Sequence, residues 1–349
     1  MYTINEKLFL LILTAPLLVF YGGLAQAASV SCGEIIVTDT KLDTNLICDS
    51  EPPTDGLVIA ANGVTLDLNG FTIKGSSEKE GVSGTGHSNI TIKNGAITGF
   101  ETGIHFDDIT KLEIKQLTIA NQSWDSILIG TSRNVKIMNV HTYLPEEAPG
   151  SAIILADVDD SKVTNVNVDG GFYGVLSIAY LGISKRFEVK NSVFARVGHV
   201  GVRILRNDGA FVINNSVSGT PACWSGIDVV DEGPNNEILI LDNAATGCNH
   251  GINVATEPPA TKLQISGNHV YGNVDGIFLL GMTDSVVSDN RVHFNNAGIV
   301  LWANTYGNKI VNNIVTGNRD VDMYQYPDFF NLWSGNTCVL TEGAYIDCP

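Results

Sequence analysis

The chain has 349 residues, of which 44% are hydrophobic and only 16% are charged, and its net charge at pH 7 is −17. The low charged fraction excludes a disordered chain and a long coiled coil. The strong negative charge argues against nucleic acid as a partner, because it repels polyanions at a distance. An anionic polysaccharide is compatible with this charge only where a cation or local Arg and Lys side chains offset the field.

The N-terminal segment 1–27 has the pattern of a signal peptide. Lys7 precedes an apolar run over positions 8–20, and Ala25-Gln26-Ala27 fits a small-x-small cleavage site. An uncleaved membrane anchor is the alternative, but the run is short for a span and Pro16 interrupts it. We therefore expect a secreted or periplasmic monomer without a membrane span in the mature chain.

Two short patterns recur along most of the chain. The first is a small residue followed by an aliphatic, a variable and an apolar residue, and it recurs at nearly regular intervals. It begins at Gly103, Ser126, Ala152, Gly174, Gly201, Gly226, Gly251, Gly276 and Gly298. The second is an Asn flanked by β-branched residues, at Asn69, Asn94, Asn139, Asn165, Asn191, Asn215, Asn243, Asn268, Asn290, Asn313 and Asn336, with Gln116 in the same slot.

The period has a physical explanation. Each unit contains short strands with one apolar face, and a single unit cannot bury that face. Coils stacked about 4.8 Å apart pair every strand with the coils above and below and enclose an aliphatic core. The Asn residues are then expected to hydrogen-bond along the stack as a polar ladder. A β-sandwich or a leucine-rich horseshoe is the alternative, but the longer Leu-rich motif of a horseshoe is absent.

The repeat units resemble the right-handed parallel β-helix proteins of the pectin-lyase-like superfamily over roughly residues 30 to 337. The resemblance is also visible in the opening segments Asp55-Gly56-Leu57-Val58-Ile59 and Asn62-Gly63-Val64-Thr65-Leu66. It implies an all-β, single-stranded right-handed parallel β-helix of about 11 coils with disulfide-bonded caps. We expect an N-terminal cap over residues 28–56, the β-helix over 57–321 and a C-terminal cap over 322–349. The superfamily includes lyases, hydrolases, epimerases, binding proteins and adhesins, so it implies the fold more than the function.

The six cysteines form an even set, which fits an oxidising compartment. Cys223 and Cys248 are separated by one repeat period, and each lies three residues before its repeat Gly. They therefore occupy equivalent sites on adjacent coils, at a spacing that a disulfide accepts. The predicted bridges are Cys32–Cys48, Cys223–Cys248 and Cys338–Cys348. A metal site is the alternative for these cysteines, but no CxxC spacing supports it.

Candidate chemistry lies on the outward side of the repeat strand. The aliphatic residue after each repeat Gly points inward, so the next residue points outward. These outward residues are His105, Leu128, Ile154, Leu176, Arg203, Asp228, Asn253, Phe278 and Val300. Arg203, Asp228 and Asn253 form a polar run on three consecutive coils. Other polar or aromatic residues fall at the ends of the same strands, namely Tyr173, His199, Trp224 and His250 at the entries and Arg206, Asp231 and Glu257 at the exits.

This arrangement predicts a groove for an extended polysaccharide, with uronate sugars as the leading class. A polysaccharide lyase or C5-epimerase is the first expectation. Arg203 or a bound Ca²⁺ would neutralise the uronate carboxylate, and His199, His250 or Arg206 would take the C5 proton.

Three alternatives remain open. In a glycoside hydrolase, Asp228 would act with Asp231 or Glu257 as paired carboxylates. In a non-catalytic glycan- or protein-binding module, the apolar stretch of Leu128, Ile154 and Leu176 would be the contact surface. In a purely structural role, Arg203 and Asp228 would form only a cross-strand ion pair. In any glycan complex, the substrate-binding residues would be Trp224, Tyr173, Asn253, Arg206 and Glu257.

No catalytic set can be transferred from the superfamily. Polygalacturonase-type enzymes carry Asp residues on earlier coils than their His and Arg, whereas here Arg203 precedes Asp228. The Asp-Pro-His motif of alginate epimerases is absent. Copper-binding periplasmic proteins share this fold, but the seven His residues show no metal-ligand spacing and do not share one repeat position.

Overall fold

The computed structural model describes residues 30–49, 51–145, 148–231, 233–327, 329–343 and 346–348, and leaves the side chain of Asp231 undescribed. Within these ranges the chain is an all-β solenoid of 38 strands without an α-helix. The predicted signal peptide lies outside the described residues. None of the described segments forms a helix long and apolar enough to cross a membrane.

One face of the solenoid is a parallel sheet of 14 strands, which we call the long sheet. Its strands are Glu34–Ile36, Leu57–Ile59, Glu80–Thr85, Thr102–Asp107, Ile127–Gly130, Ile153–Ala156, Tyr173–Ile178, Val200–Leu205, Ser225–Asp231, His250–Thr261, Asp275–Thr283, Ala297–Leu301, Val321–Gln325 and Thr341–Glu342. Glu34–Ile36 and Thr341–Glu342 lie in the segments that the sequence assigns to the caps, yet both pair in parallel with the next strand. The parallel stack is therefore longer than the predicted 11 coils.

Two further columns of parallel strands close the cross-section. The first wall contains Thr40–Lys41, Thr65–Asp67, Ser161–Thr164, Phe187–Lys190, Phe211–Ile213, Leu239–Leu241, Gln264–Ser266, Val286–Ser288, Lys309–Val311 and Leu332–Ser334. The second wall contains Leu46–Ile47, Thr72–Lys74, Asn167–Asp169, Val193–Val197, Ser216–Gly219, Ala244–Thr246, His269–Tyr271, Arg291–His293 and Ile314–Thr316. Three long strands belong to both walls: Ser88–Thr98, Thr110–Ala120 and Arg133–Tyr143. A small separate ladder joins Ser184–Lys185 to Asn207–Asp208.

The core consists of aliphatic side chains stacked in register, as the repeat predicts. The residue after each repeat Gly forms one continuous row through Ile104, Ile127, Ile153, Val175, Val202, Ile227, Ile252, Ile277 and Ile299. Every member of this row is fully buried. Burial of each such side chain contributes about 1.5–3 kcal/mol to the stability of the folded state.

The small residue of the repeat is required by close packing between coils. A Cβ atom on Gly201 would lie 2.6 Å from the carbonyl oxygen of Gly226 and 2.4 Å from a methyl group of Val217. The same contact recurs one coil later, where a Cβ on Gly226 would lie 2.6 Å from the carbonyl oxygen of Gly251. A residue larger than Gly is therefore excluded at Gly201 and Gly226, because the backbone cannot move away without breaking the hydrogen bonds between coils.

The predicted Asn ladder contains two different positions. Asn69, Asn94, Gln116, Asn139, Asn165 and Asn191 adopt the left-handed conformation, with φ between 52° and 60°. Asn215, Asn243, Asn268, Asn290, Asn313 and Asn336 instead sit one residue later in the turn and are buried. Only this second set forms a continuous ladder, in which each Nδ2 donates to the next Oδ1 at 2.9–3.0 Å. The prediction of a single ladder is wrong for the earlier coils, where tolerance of positive φ favours Asn.

All three predicted disulfides are present: Cys32–Cys48, Cys223–Cys248 and Cys338–Cys348. The Cα atoms of Cys223 and Cys248 are 4.6 Å apart, as expected for equivalent positions on adjacent coils. This bridge covalently joins the two turns that lead into the strands beginning at Ser225 and His250. It braces the entry side of the long sheet beside Trp224.

Removal of one Asn side chain from the ladder should destabilise several coils. In Asn268→Ala, the Asn243 amide loses its acceptor, and the carbonyl oxygen of Ile240 loses a donor, both in a buried turn. We expect a cost of about 2–4 kcal/mol, measured as a lower midpoint in urea denaturation. The exposed strand residue Asn167 provides the control, and Asn167→Ala should stay within about 0.5 kcal/mol of the wild type. Equal midpoints for the two variants would contradict the role of the ladder.

Candidate functional site

The predicted polar row exists on the long sheet. Arg203 pairs in register with Asp228, Asp228 pairs with Asn253, and Phe278 follows in the next coil. Parallel pairing without an offset places these side chains directly over one another along the outer face. The register on which the predicted groove depends is therefore confirmed.

Asp228 is the buried centre of this row. It is fully buried, its Oδ1 accepts a hydrogen bond from Asn253 Nδ2 at 2.7 Å, and its Oδ2 lies 3.4 Å from Arg203 Nε. Burial raises the pKa of Asp228, while the Asn253 amide and the Arg203 charge act in the opposite direction. This carboxyl group therefore holds two neighbouring side chains in place from below the surface.

Arg203 is positioned by an aromatic ring as well as by the carboxylate. Its Nη1 donates a hydrogen bond to Tyr173 Oη at 3.2 Å, and its guanidinium carbon lies 5.5 Å from the centroid of the same ring. The Arg203 side chain remains about one fifth exposed. The result is a preorganised cation at the surface of the long sheet.

His199 lies beside this cation. Its imidazole contacts the Tyr173 ring edge-to-face at 5.6 Å between centroids and stacks on Phe172 at 4.5 Å. Burial lowers the pKa of His199, and the positive charge of Arg203 lowers it further. A neutral imidazole is therefore favoured next to a fixed guanidinium at pH 7.

His250 forms a second His-containing group two coils later. Its Nδ1 lies 3.1 Å from Asp275 Oδ2, and its ring contacts Trp224 at 5.2 Å and Phe278 at 5.1 Å. His250 pairs in register with Ser225 on the preceding coil and with Asp275 on the following coil. Trp224 is the residue immediately before Ser225. The carboxylate and the two aromatic rings fix the orientation of this imidazole.

An aromatic band continues from Phe278 towards the C-terminal end of the sheet. Trp302 lies 6.5 Å from Phe278, 5.6 Å from Tyr324 and 5.2 Å from Tyr326, between ring centroids. Trp302 is 41% exposed and Trp224 is 45% exposed, so both present open ring faces to solvent. Trp302 and Tyr326 lie outside the sequence-predicted site, because both follow the end of their strand rather than occupying the outward position.

The exit residues are less tightly connected to the polar row. Arg206 follows the strand Val200–Leu205 with φ at 54°, and its side chain packs where a Cβ on Gly233 would fall. Asp231 pairs with Thr256, but its side chain lies outside the described residues. Glu257 is exposed and precedes Pro258, whereas Asp228 is fully buried. The geometry therefore gives little support to Asp228 and Glu257 as paired carboxylates around one bond.

A second charged cluster, which is absent from the sequence-predicted site, occurs on earlier coils of the same sheet. His105 Nδ1 contacts Glu80 Oε1, and His105 Nε2 lies 3.0 Å from Asp107 Oδ2. The hydrogen bond from Glu80 raises the pKa of His105 above its ordinary value of 6.5 despite partial burial. Nearby, burial raises the pKa of Asp125 to about 6. The sequence signal for this cluster is Asp107, two positions after His105, together with Glu80 on the preceding coil.

The apolar stretch between the two clusters is largely covered. Leu128 and Ile154 are half-buried, and Leu176 is only 9% exposed. These residues occupy the predicted outward row, in register with one another. They do not form the broad exposed contact surface that the binding-module alternative requires.

Comparison with known proteins identifies related sequences and folds. A family model described as "Periplasmic copper-binding protein (NosD)" matches residues 138–347. No curated protein matches the chain significantly. Among solved structures, the Azotobacter vinelandii mannuronan C-5 epimerase AlgE6 A-module is similar over 88% of this chain and 89% of its own, with 15% identity and a TM-score of 0.58. A single-substitution mutant of the periplasmic alginate epimerase AlgG is similar over 84% and 77%, with 16% identity and a TM-score of 0.50.

A third similar structure is the bacteriophage CBA120 tailspike protein 3, over 90% of this chain and 56% of its own, with 12% identity and a TM-score of 0.52. Identities this low establish a shared parallel β-helix fold and nothing about the reaction.

The family description names copper, and the described residues do not fit a closed centre for that metal. They contain no group of three or more His, Cys, Asp or Glu side chains arranged to hold one ion. All six cysteines are in disulfides, so no thiolate is free for copper. A closed copper centre with three or four protein ligands therefore does not fit the described part of the chain.

Truncation of the buried carboxylate should destabilise the groove strongly. Asp228→Ala removes the acceptor of the Asn253 amide and leaves the Arg203 charge without its ion-pair partner, and we expect a loss of about 3–5 kcal/mol in unfolding free energy. Asp228→Asn should cost less, because an amide oxygen can still accept from Asn253. Thermal denaturation followed by circular dichroism measures both. Asp320→Ala, at an exposed ion pair with Arg319, is the control and should leave the melting temperature unchanged.

The Glu80–His105–Asp107 cluster should give a pH-dependent stability. Because the folded pKa of His105 lies above 6.5, its contribution is fully present below pH 6.5 and is lost as the pH rises through the folded pKa. His105→Gln should therefore cost about 1 kcal/mol at acidic pH and almost nothing at alkaline pH. Urea denaturation at both pH values tests this, with the exposed His141→Gln as control. A cost independent of pH would show that the imidazole acts only through packing.

Proposed function

The chain belongs to the NosD family, and from that premise we propose that it works outside the cytoplasm and binds an extended uronate-containing glycan along the long sheet. The three disulfides and the predicted signal peptide support an oxidising, extracytoplasmic location. The family is described as periplasmic, and two structural neighbours are named as epimerases of alginate or mannuronan, which are uronate polymers. The glycan assignment is supported by the groove itself.

The dimensions and chemistry of the groove suit an extended chain. From Tyr173 to Trp302 the surface crosses five coil spacings, or about 24 Å. The polar row occupies the centre of this length, with the exposed ring of Trp224 beside it at the entry of the Asp228 strand and the exposed ring of Trp302 towards the C-terminal end. Sugar rings stack on aromatic faces through their apolar C–H sides, while their hydroxyl and carboxylate groups need polar partners.

The observation that carries the proposal is the fixed guanidinium of Arg203 beside the neutral imidazole of His199. The chain has a net charge of −17, so an anionic sugar needs a local cation to approach. Arg203 supplies that cation, and Asp228 and Tyr173 hold it in place before any ligand arrives. A carboxylate that binds Arg203 would bring the adjacent sugar carbon towards His199.

This arrangement suits removal of the C5 proton of a uronate. Arg203 would neutralise the carboxylate and stabilise the charge that develops when the proton leaves, and His199 would accept the proton. Tyr173, whose hydroxyl is already bonded to Arg203, would return a proton to the opposite face in an epimerase. In a lyase, the electron pair left on C5 would instead form a C4=C5 double bond as the bond from C4 to the leaving sugar oxygen breaks, and Tyr173 would give its proton to that oxygen. His250, oriented by Asp275, is the second candidate for the base.

Two alternatives are less well supported. A hydrolase requires Asp228 to reach the substrate, although this residue is fully buried and bonded to Asn253. We assign neutralisation of the carboxylate to Arg203, because Asp228 and Tyr173 already hold its guanidinium in place. A non-catalytic glycan-binding protein would use the same cation and aromatic rings without the proton transfer.

Binding should depend on the charge and shape of Arg203. The wild-type chain is titrated calorimetrically with polymannuronate, polyguluronate and polygalacturonate oligomers, with neutral oligosaccharides for comparison. Arg203→Ala should weaken uronate binding by at least about tenfold. Arg203→Lys should restore only part of the affinity, because an ammonium group cannot donate two parallel hydrogen bonds to the sugar carboxylate. Arg291→Ala on the second wall is the matched control and should bind like the wild type. Absence of binding to every uronate by the wild-type chain would overturn the proposal.

Catalysis is tested separately from binding. With the uronate that binds, incubation in heavy water followed by NMR should show deuterium at C5, and ultraviolet absorbance should reveal unsaturated lyase products. His199→Gln should abolish either signal while affinity changes by less than about threefold. If His250→Gln has this effect instead, the base is His250. Wild-type binding without deuterium incorporation or unsaturated product would favour the non-catalytic alternative.

A further inference from the structure

A further row of residues borders the long sheet where its strands begin, and we call it the entry row. It occupies the position two residues before each repeat residue on five consecutive coils, and its members are Trp124, Gly150, Phe172, His199 and Trp224. Backbone hydrogen bonds hold the row in register. The N–H of Phe172 donates to the carbonyl oxygen of Gly150 at 2.8 Å, and the N–H of His199 donates to that of Phe172 at 3.0 Å. The N–H of Trp224 donates to the carbonyl oxygen of His199 at 2.7 Å, so the row is continuous up to the polar row.

Exposed aromatic rings occur at every second position of the entry row. Trp124 is 50% exposed, Phe172 is 39% exposed and Trp224 is 45% exposed. Successive rings are therefore separated by two coils, or about 10 Å. Between the first two, Gly150 carries no side chain, and a Cβ atom there would lie 1.9 Å from the carbonyl oxygen of Trp124. Between the second and third, His199 stacks nearly parallel to Phe172, so these two rings form one stack. The entry row therefore presents aromatic surface with a period of two coils.

The sheet beside the first part of the entry row is apolar. Leu128, Ile154 and Leu176 occupy the outward row on its first three coils, in register with one another. On the next two coils the outward row becomes polar, with Arg203 followed by Asp228. The entry row therefore extends the proposed groove onto earlier coils, where aromatic rings border an uncharged floor. Such a surface suits the apolar C–H faces of sugar rings better than their carboxylates.

We propose that the entry row binds alternate sugars of a β-1,4-linked glycan, in which both linkage bonds of every pyranose ring are equatorial. This inference rests on the proposed function and names the linkage class of the glycan. In such a ribbon each sugar is turned over relative to the one before it, so the same ring face recurs at every second residue. One sugar lengthens the chain by roughly one coil spacing, so this recurrence matches the separation of the aromatic rings. Axial linkage bonds, as in α-1,4-linked guluronate or galacturonate, stand across the ring faces and hinder stacking.

The separation of the rings also predicts a minimum chain length. Trp124 lies three coil spacings before the coil of His199 and Arg203, or about 14 Å. A trimer whose carboxylate binds Arg203 is too short to reach Trp124, whereas a hexamer reaches it. Trp124 should therefore contribute to the affinity for long oligomers only.

Calorimetric titration with oligomers of defined length tests the proposal. The full mature chain is titrated with trimers and hexamers of β-1,4-linked mannuronate and glucuronate and of α-1,4-linked guluronate and galacturonate, which carry equal charge at equal length. The β-linked hexamers should bind at least about tenfold more tightly than their trimers, and the α-linked hexamers should gain less than about fivefold. This comparison uses the wild-type chain alone, so it does not depend on the folding of any variant.

Two substitutions at Trp124 assign the gain in affinity to the entry row. Trp124→Ala should weaken binding of the β-linked hexamers by about three- to tenfold and leave binding of the trimers unchanged. Trp124→Phe keeps an aromatic ring and should lose less. Phe294→Ala is the matched control, because Phe294 is an exposed aromatic residue that follows the strand Arg291–His293 on the second wall. It should bind every oligomer like the wild type.

The outcomes separate this inference from the proposed function. Equal length dependence for the two linkage classes, or hexamer affinity unchanged in Trp124→Ala, would overturn the role of the entry row and leave uronate binding at Arg203 intact. Equal losses for trimers and hexamers in Trp124→Ala would show a general effect on the groove and would overturn it as well. Absence of binding to every oligomer by the wild-type chain would overturn the proposed function, and this inference with it.

Discussion

The parallel hydrogen bonds between successive coils determine the position of every other group in this structure. Over the central coils, the strands of the long sheet pair without an offset from the repeat Gly to Ala255, and the register shifts only between Ala255 and Ala260, so residues one repeat period apart become neighbours. The fold therefore converts a periodic sequence into rows of stacked side chains, each about 4.8 Å from the next. The core, the turns and the candidate site each consist of such rows. They differ in whether the side chains point into the solenoid, lie in a turn or point out to solvent.

The polar rows differ in how much they contribute to the stability of the folded state. They therefore differ in what they indicate about function. The Asn ladder satisfies neutral amides with one another and with backbone carbonyls, which is a stable way to fill a buried turn. Asp228 is different, because a buried carboxylate beside a guanidinium commonly stabilises a protein no more than a well-packed apolar pair would. The neighbouring coils place Leu176 and Phe278 in the same row, so an apolar residue is accommodated there. Stability alone does not explain Asp228, whereas a requirement to hold Arg203 does.

The sequence predicts rows well because it determines period and register directly. The stacking of Arg203, Asp228 and Asn253 and the Cys223–Cys248 bridge both follow from counting residues. Contacts along diagonals were missed, as with His269 and His293 or His105 and Glu80, because they depend on side-chain rotamers and on reach across two or three positions. The prediction of a single Asn ladder was wrong for a related reason. Adjacent turn positions both favour Asn, one for its tolerance of positive φ and the other for its amide, and composition does not distinguish them.

The same geometry separates the groove from the second wall, where the Nε2 atoms of His269 and His293 lie 2.6 Å apart. His250 and His269 lie within one coil, yet one belongs to the long sheet and the other to the second wall. Between these faces lie the fully buried aliphatic side chains that include Ile252 and Ile265. Because each coil contacts mainly the coils above and below it, a change in side-chain charge on one face acts first along its own row. A glycan bound on the long sheet would therefore leave the second wall largely undisturbed, although residues of the two faces alternate along the chain.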